Sequence, residues 1–586
     1  MMSGSRKYVN FALSIAAVCA SFVASPFSAA GAEQAPVVEL NDYDVIIAGG
    51  STAAFAAAIA AAESGARTAL LEPTDWVGGQ LTSSGVPAID EAWHTIKPKA
   101  PETQEYSVAK VARDPANITP SFHALMSGLE NPANCWVSRY CYCPDSFVRQ
   151  LEPLEKKVAD KLTVYLDTVV KNVETTPDGK RIVSITAIER KPKAGVLHNG
   201  YDRLPSQDLA DWYSPKESER FTKRVLRFGS TAGSKKAPVF IEATEWGEIL
   251  ALTDAPYLQG VETADGGLEG NDRCGQATVY CFVEEFLENP ADEPKANVPL
   301  DKMGFATYEG RPDAWEQVWT YRRIRGKAKP APGDLCLQNW GYSAKVGNGG
   351  NDYPFGYLFP SKADAAATRD DWQGGVDVAV LAAAEERALG WHEWFKQNTP
   401  EGINSKQIVL NSSVLGTGHG LAKLPYIRDT RRSVGLDGYV LPMADMVGPI
   451  SQRTGTKFDD RIALGAYPAD IHPLVTCKFP DYVYRFHDTL PFYIPFRALT
   501  NERVENMLVA GKTMAQSFMA NSATRLQPTE WSTGTAAGVA AAYMATTGKT
   551  SRQALESIEE IQELVKEKTP IDWSVTEGAL HEVATK

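Results

Sequence analysis

The sequence predicts an α/β fold in which a parallel sheet is assembled from separated segments, with an α+β domain inserted between them. Three segments support this prediction. Residues 44–72 read as strand, glycine turn, alanine-rich helix and second strand, residues 238–244 form an apolar strand, and residues 506–546 repeat a short apolar strand and an alanine-rich helix. Short runs of branched apolar residues bounded by glycine are typical of buried parallel strands.

The first segment has the order of a Rossmann-like, nucleotide-binding βαβ unit. Gly49 and Gly50 predict a tight turn, Ser51 and Ala54 occupy the second and third glycine positions of G-x-G-x-x-G, and Glu72 ends the second strand. The N-terminal amides of such a helix bind a pyrophosphate, and a carboxylate at the end of the second strand accepts ribose hydroxyls. That acid favours FAD or NAD over a 2′-phosphorylated cofactor. Ser51 departs from the motif, so a shift of the phosphate or a hydrogen bond to it must accommodate the hydroxymethyl group.

The N-terminus is typical of a secretory signal peptide, which we assign to residues 1–32. Arg6 and Lys7 precede an apolar run at residues 11–23, and the sequence A-G-A ends just before Glu33. This order matches a charged region, an apolar region and a cleavage site of small residues. We therefore expect an exported protein, periplasmic or secreted, without a membrane span in the mature chain. The alternative is a membrane anchor, for which the apolar run is short.

The composition argues against nucleic acid as a partner. The chain has 586 residues, of which 44% are hydrophobic and 22% charged, and its formal net charge is -13. A nucleic-acid-binding surface needs clustered basic residues. The short basic group of Lys223, Arg224 and Arg227 is interpreted as a solvated helix face.

The cysteines do not predict a metal site. Cys135, Cys141 and Cys143 lie within nine residues, but no C-x-x-C pair or matching histidine follows them. Zinc sites usually show such spacings, and an exported protein permits disulfides. We therefore favour a local disulfide or buried thiols over zinc or an iron–sulfur cluster.

Changes in composition divide the chain into regions. Residues 38–258 are the first part of the nucleotide-binding domain, with a polar, irregular excursion at 192–236. Residues 259–488, rich in Trp, Tyr, Asn, Gly and Pro, form the inserted substrate or cap domain. Residues 489–550 close the nucleotide-binding domain, and residues 551–586 form a helical tail.

Several local elements follow from residue patterns. Residues 101–160 are predicted to be mostly helical, and residues 162–173 and 181–190 alternate like a β-hairpin. One long helix is predicted at residues 376–397, and a further helix begins at Pro528.

Several further motifs, in one order along the chain, carry a resemblance to a known family. They are Gly78, Gly79 and Thr82 in G-G-x-x-T, F-I-E-A-T at 240–244, P-Y-I-R-D-x-R-R-x-x-G at 425–435, Y-P-x-D-x-H at 467–472, I-P-x-R-A-L at 494–499 and N-x-L-V-A-G-K at 506–512. With these segments the chain resembles the FAD-dependent oxidoreductases of the glutathione-reductase-like, two-domain flavoprotein class, in a branch whose members are often exported. The matches span most of residues 42–545.

The resemblance implies that FAD binds in an extended conformation, with its adenosine near Glu72 and its isoalloxazine between the two domains. It also points the N-terminus of the last alanine-rich helix toward the flavin, where the helix dipole would stabilise negative charge on the reduced ring. The residues expected to bind the cofactor are Gly49, Gly50, Ser51, Ala54, Glu72, Gly78, Gly79, Thr82, Gly511, Pro528 and Thr529.

The candidate catalytic base is His472. Asp470 precedes it by two residues and could orient the imidazole if both lie on one face of a strand, and Tyr467 could donate a hydrogen bond. The alternative is a hydrogen-bonded His–Asp pair that supports the core.

A second candidate cluster contains Arg428, Arg431 and Arg432, close to Tyr426 and Asp429. One arginine is expected to reach the substrate or flavin while another pairs with Asp429, and structural ion pairs are the alternative. Residues 351–353, after a glycine-rich stretch, resemble a binding loop or a plain turn.

These features predict oxidation of a CH–OH or CH–NH group in a sugar, alcohol or amine, by hydride transfer to flavin N5. The electrons would pass to oxygen, a quinone or a redox protein, because the G-T-G-H-G turn at 416–420 lacks the helix of a second dinucleotide site. The alternatives are a flavin-dependent oxygenase, a non-redox polysaccharide lyase, and a binding or electron-transfer protein on a flavoprotein scaffold.

Overall fold

The computed structural model describes most of the chain. The described residues are 36–90, 95–100, 105–109, 114–129, 135, 137–138, 140–230, 237–262, 271–293, 296, 298–300, 303–305, 314–326, 330–341, 350–448, 454–484 and 488–574. The predicted signal peptide and residues 575–586 of the predicted tail lie outside them.

Elements are numbered along the chain. The strands are β1 (Val37–Leu40), β2 (Val45–Ala48), β3 (Thr68–Leu71), β4 (Thr95–Ala100), β5 (Glu105–Ala109), β6 (Leu162–Tyr165), β7 (Thr168–Thr175), β8 (Ile182–Pro192), β9 (Phe221–Gly229), β10 (Val239–Glu242), β11 (Tyr257–Leu258), β12 (Thr278–Val279), β13 (Phe282–Phe286), β14 (Arg323–Arg325), β15 (Leu335–Gln338), β16 (Asp352–Tyr353), β17 (Ile408–Leu410), β18 (Arg432–Ser433), β19 (Arg461–Gly465), β20 (Phe492–Pro495) and β21 (Met507–Val509). The helices are α1 (Thr52–Glu63), α2 (Pro120–Ser127), α3 (Pro144–Lys157), α4 (Pro205–Trp212), α5 (Glu248–Leu252), α6 (Ala314–Tyr321), α7 (Lys362–Ala367), α8 (Val378–Gln397), α9 (Phe518–Thr524), α10 (Gln527–Thr547), α11 (Ser551–Glu556) and α12 (Ile558–Lys566).

The central sheet is parallel and five-stranded, in the order β21-β10-β2-β3-β6. Its strands come from three distant parts of the sequence, which confirms the prediction of a parallel α/β sheet built from separated segments. The boundaries of an inserted domain stay a prediction.

Helices α1 and α10 pack closely against each other. A Cβ atom on Gly534 would lie 2.2 Å from the carbonyl oxygen of Ala53, and one on Gly538 would lie 2.3 Å from that of Ala57. Glycines spaced by four residues on α10 therefore permit backbone contact with the alanine face of α1. The predicted start of this helix at Pro528 is confirmed, because the proline occupies its first turn.

A second sheet has the order β1-β9-β8-β7 and corrects two predictions. The predicted excursion at 192–236 contains β9, which pairs along β8, so this segment is only partly irregular. Lys223, predicted on a solvated helix face, lies on β9 with a buried side chain, and its ammonium pairs with Asp211 at 3.1 Å. The first predicted hairpin strand divides into β6 of the central sheet and β7, which pairs with β8 as predicted.

The prediction that residues 101–160 are mostly helical is only partly confirmed. Helices α2 and α3 lie in this range, but β5 pairs with β4 in an antiparallel hairpin. The long helix predicted at residues 376–397 is observed as α8.

Helix α8 carries a buried ion-pair network. His392 lies 3.0 Å from Glu284 through Nδ1 and 2.8 Å from Glu293 through Nε2. Burial alone lowers the pKa of His392, but the two carboxylates outweigh burial and raise it to about 8.

Two disulfides are present among the described cysteines. Cys135 and Cys141 form the predicted local bridge, whereas the bridge between Cys274 and Cys477 spans 203 residues and was not predicted. None of the described helices combines the length and the apolar character that a bilayer span requires.

Candidate functional site

The predicted nucleotide turn lies at the carboxyl end of the central sheet, where α/β proteins bind their ligands. Gly50 has φ +107°, and Gly79 has φ +57° in the G-G-x-x-T loop. A Cβ on Gly79 would lie 2.6 Å from both the carbonyl oxygen of Gly50 and Cα of Ser51. Thr82 closes the loop by donating to the Val77 carbonyl at 2.5 Å. The two glycine segments therefore form one tightly packed turn.

The hydroxyl of Ser51 explains the departure from the glycine motif. It accepts a hydrogen bond from the Ala54 amide at 3.1 Å and donates to the Ala243 carbonyl at 2.6 Å. Ser51 is thus the N-cap of α1 and links this helix to the end of β10. The two alternatives expected from the sequence, a shift of the phosphate or a hydrogen bond to it, stay predictions.

Glu72 lies at the end of β3, where an adenosine ribose is expected. It is 1% exposed and accepts hydrogen bonds from the amide and hydroxyl of Thr74 at 3.1 and 2.9 Å. Burial raises the pKa of Glu72 to about 8, although the two donors of Thr74 oppose this shift. Ribose hydroxyls would supply further donors to the same carboxyl group.

Buried polar atoms next to α10 fit a polar cofactor. Thr529 Oγ1 and Gln80 Oε1 are buried without a hydrogen-bond partner in the described part of the chain. Gly511, with φ +65°, approaches Ala53 of α1 so closely that a Cβ would lie 2.8 Å from the alanine Cβ. Pro528 lies beside Thr529 in the first turn of α10. The residues present therefore fit FAD.

Lys512, in the same turn as Gly511, lies between two buried acids. Its ammonium is 2.9 Å from Glu245 and 2.8 Å from Glu530, which belongs to the first turn of α10. Burial lowers the pKa of Lys512, but the two carboxylates outweigh burial and raise it. Burial raises the pKa of Glu245 to about 7 against the opposing charge of Lys512. The sequence did not single out Glu245 or Glu530.

His472 lies between two carboxylates. Its Nδ1 is 2.5 Å from Asp352 Oδ2, and its Nε2 is 3.4 Å from Asp470 Oδ2. Burial and Arg428 lower the pKa of His472, but Asp352 and Asp470 raise it by more, so it lies above its ordinary value. The two carboxylates thus favour the protonated form of the imidazole, and Asp352 fixes its orientation.

Asp470 contacts His472 as predicted, although the two residues lie outside any strand. The residue that holds Nδ1 is instead Asp352, within the segment 351–353 that resembled a binding loop. Asp352 is fully buried, whereas the side chain of Asp470 is 43% exposed. Of the two carboxylates, Asp470 is therefore the one that solvent reaches.

Arg525 joins this histidine to the cofactor turn. Its guanidinium lies 3.2 Å from Asp470 Oδ2 and donates to the Tyr426 hydroxyl at 2.6 Å. Its backbone carbonyl accepts from Gln80 of the G-G-x-x-T loop at 2.9 Å. Arg525 therefore connects His472 with the predicted flavin position, a role that sequence reasoning missed.

Tyr467 lies close to the same cluster. Burial raises the pKa of its hydroxyl, and the negative charge of Asp470 adds to the shift while Arg525 opposes it. Tyr467 is thus a neutral phenol near the histidine site.

Two arginines of the predicted cluster, Arg428 and Arg432, have different environments. Arg428 donates to Asp352 at 2.9 Å and belongs to the histidine cluster. Arg432 is fully buried and pairs with Asp429 at 2.6 Å and Glu262 at 3.0 Å. Its position matches the structural ion pair that the sequence left open, and no contact joins it to His472.

The parallel sheet, the glycine turn and the acid after β3 define the class of the protein as a dinucleotide-binding α/β protein. The chain belongs to the FAD dependent oxidoreductase family, whose model matches residues 44–198 and 216–565. It is an enzyme of this family and its cofactor is FAD.

Two similar solved structures share little sequence identity with this chain. A geranylgeranyl bacteriochlorophyll reductase-like protein from Thermoplasma acidophilum shares 9% identity over 91% of this chain and 85% of its own, with a TM-score of 0.31. Quinol fumarate reductase FrdA from E. coli shares 12% identity over 91% of this chain and 75% of its own, with a TM-score of 0.27. A comparison with curated proteins finds no significant match.

Proposed function

We propose that the protein oxidises a CH–OH or CH–NH group of a small organic molecule, with His472 as the base. The observation that carries this proposal is the Arg525 linkage, which connects the histidine cluster to the cofactor turn through Gln80 and Asp470. Oxygen, a quinone or a redox protein would take the electrons. Residues 259–488, which hold Asp352 and His472, would form the substrate side of the site.

Bound FAD supplies the hydride acceptor, N5 of the flavin. The C–H and O–H (or N–H) bonds of the substrate break, and a C=O or C=N double bond forms. His472 Nε2 receives the proton while Asp352 holds the opposite nitrogen, Nδ1. Movement of the partly exposed Asp470 makes room for the substrate beside Nε2.

The raised pKa of His472 fixes the direction of the pH dependence. A base must be neutral before it accepts a proton, so oxidation is slow while His472 is a cation. The rate of flavin reduction should therefore rise with pH through a pKa above the ordinary histidine value of 6.5.

The test is anaerobic addition of alcohols, sugars and amines while the oxidised-flavin absorption band is followed. A true substrate bleaches the band. His472→Asn keeps an N–H group near Asp352 but removes the base, so it should slow bleaching by about 100-fold or more. His123→Asn, on α2, is the matched control and should leave the rate unchanged.

Other outcomes would support other functions. Turnover of a polysaccharide that persists after the flavin is bleached would favour a lyase. A requirement for added reductant and oxygen would favour an oxygenase. Flavin that no small molecule bleaches would favour a binding or electron-transfer role, and an unchanged rate in His472→Asn would remove His472 from the mechanism.

We also propose that the protein is exported, because residues 1–32 have the pattern of a signal peptide. Mass spectrometry of the protein from its producing cells should find a mature N-terminus near Glu33. Recovery of the intact chain beginning at Met1 would contradict export by this route.

A further inference from the structure

Gln276 lies beside His472 and is hydrogen-bonded to its backbone. Its side-chain Oε1 accepts the backbone N–H of His472 at 3.1 Å, and the next amide along the chain, that of Ala277, donates to the His472 carbonyl at 2.8 Å. The disulfide between Cys274 and Cys477 joins the same two segments a few residues away. Two hydrogen bonds and one disulfide therefore connect the segments that carry Gln276 and His472.

The orientation of the Gln276 amide is fixed by the hydrogen bond to its oxygen. Its backbone N–H is also engaged, donating to Asp429 at 3.3 Å. The side-chain Nε2 has no acceptor within the described residues, although Gln276 is only 4% exposed. A buried amide donor without an acceptor is unfavourable and uncommon in folded proteins.

A second buried donor close to His472 is also unmatched. Nε of Arg525 has no partner among the described residues, although the other guanidinium nitrogens bind Tyr426 and Asp470. Both unmatched groups are N–H donors, so a ligand that binds either of them has to offer a lone pair.

We propose that Gln276 is a substrate-binding residue, and that its Nε2–H donates to the oxygen of a CH–OH group undergoing oxidation. This inference rests on the proposed function and narrows its substrate class to alcohols, including sugar hydroxyls. His472 Nε2, which accepts the proton of the alcohol, and the Gln276 amide then contact the same substrate oxygen.

The N–H donor of Gln276 distinguishes alcohol substrates from amine substrates. An alcohol oxygen has two lone pairs, and after oxidation the carbonyl oxygen still accepts a hydrogen bond. An ammonium group has no lone pair, and a neutral amine uses its single lone pair to form the C=N bond. A fixed N–H donor therefore stabilises oxidation of an alcohol throughout the reaction and does not do so for an amine.

The test uses matched pairs that differ only in OH and NH₂: glycolate with glycine, lactate with alanine, and benzyl alcohol with benzylamine. Each is added anaerobically to the FAD-loaded full chain while the flavin band is followed. Gln276→Glu keeps an oxygen that accepts the backbone N–H of His472, and it replaces the side-chain N–H donor by a carboxylate oxygen. Gln276→Met removes both groups.

Gln259→Glu is the matched control. Gln259 is buried like Gln276, and its Nε2 donates to the carbonyls of Asp272 and Pro360 at 2.6 and 2.7 Å. Gln259→Glu therefore reports the structural effect of replacing a buried glutamine by glutamate, and it leaves the residues beside His472 unchanged. Thermal unfolding of each variant reports whether it folds.

We expect the alcohol of a pair to bleach the flavin and its amine not to do so. Gln276→Glu and Gln276→Met should raise KM for the alcohol about tenfold, with a smaller change in kcat, while Gln259→Glu leaves KM unchanged. Bleaching by amines alone, or an unchanged KM in folded Gln276→Glu, would overturn the inference and leave the proposed function standing. No bleaching by any pair would contradict both.

Discussion

Removing the charge of Asp352 should destabilise the fold and alter the titration of His472. Asp352 is fully buried, lies 2.5 Å from His472 Nδ1 and accepts from Arg428 at 2.9 Å. Burial disfavours its ionised form, but Arg428 and His472 outweigh burial and hold the pKa of Asp352 below its ordinary value. In Asp352→Asn, Arg428 stays buried but loses the carboxylate with which it pairs.

The expected loss follows from the geometry of this pair. Breaking a buried ion pair by removing one partner costs about 3–5 kcal/mol of unfolding free energy. The amide of Asn keeps the shape of the side chain, and Arg428 retains the Ala277 carbonyl at 2.8 Å. The loss should therefore lie near the lower end of this range, at about 3 kcal/mol.

Urea unfolding followed by tryptophan fluorescence measures this loss, with Asp437→Asn as the control. Asp437 pairs with Arg552 at 2.9 Å, but its side chain is 72% exposed, so its substitution should leave the midpoint unchanged. Because Asp352 raises the pKa of His472, the pH profile of flavin reduction should also move to lower pH. Equal stability of Asp352→Asn and the wild type, together with an unmoved profile, would refute this reasoning.

Three further predictions concern other parts of the molecule. The pKa of His392 is raised from 6.5 to about 8, so its pairing with two glutamates should contribute about 2 kcal/mol to the free energy of unfolding. This contribution is complete below pH 6.5 and is lost as the pH rises through 8. Urea unfolding at several pH values measures the loss, which should be absent in His392→Gln. Gly534→Ala places a Cβ 2.2 Å from a carbonyl oxygen of α1 and should lower the unfolding free energy by about 1–3 kcal/mol, whereas Gly128→Ala, whose nearest contact is 3.5 Å, should not. Glu72→Gln removes the carboxylate expected to accept ribose hydroxyls and should raise the Kd for FAD about tenfold in a fluorescence titration. An unchanged Kd would mean that the ribose binds elsewhere.

The sheet and cofactor turn were predictable because their determinants are local. Strand β2, the glycine turn and α1 follow one another within a few residues, and the alanines of α1 indicate close packing before any partner is known. Ser51 is instructive, because the sequence shows a departure from the motif, whereas only the structure shows its hydroxyl bonded to Ala54 and Ala243.

The substrate side of the site was less predictable because its contacts join distant segments. His472 and Asp470 were chosen from their spacing, but Asp352, which lies 120 residues before His472, holds the ring. Gln276 and Arg525 carry no motif that marks their roles. Strand β9 was overlooked because Lys223 and Arg224 suggested a solvated surface, and pairing with β8 buries the lysine.

The flavin site and His472 are tested together by the absorption spectrum of the purified chain, followed by anaerobic addition of the paired alcohols and amines. We expect an oxidised-flavin spectrum, one FAD per chain on release, and bleaching by an alcohol that depends on His472. Absence of flavin after reconstitution with FAD would contradict the cofactor site built on Gly50, Gly79 and Glu72. Flavin that is present but bleached equally well in His472→Asn would contradict the site proposed around the histidine.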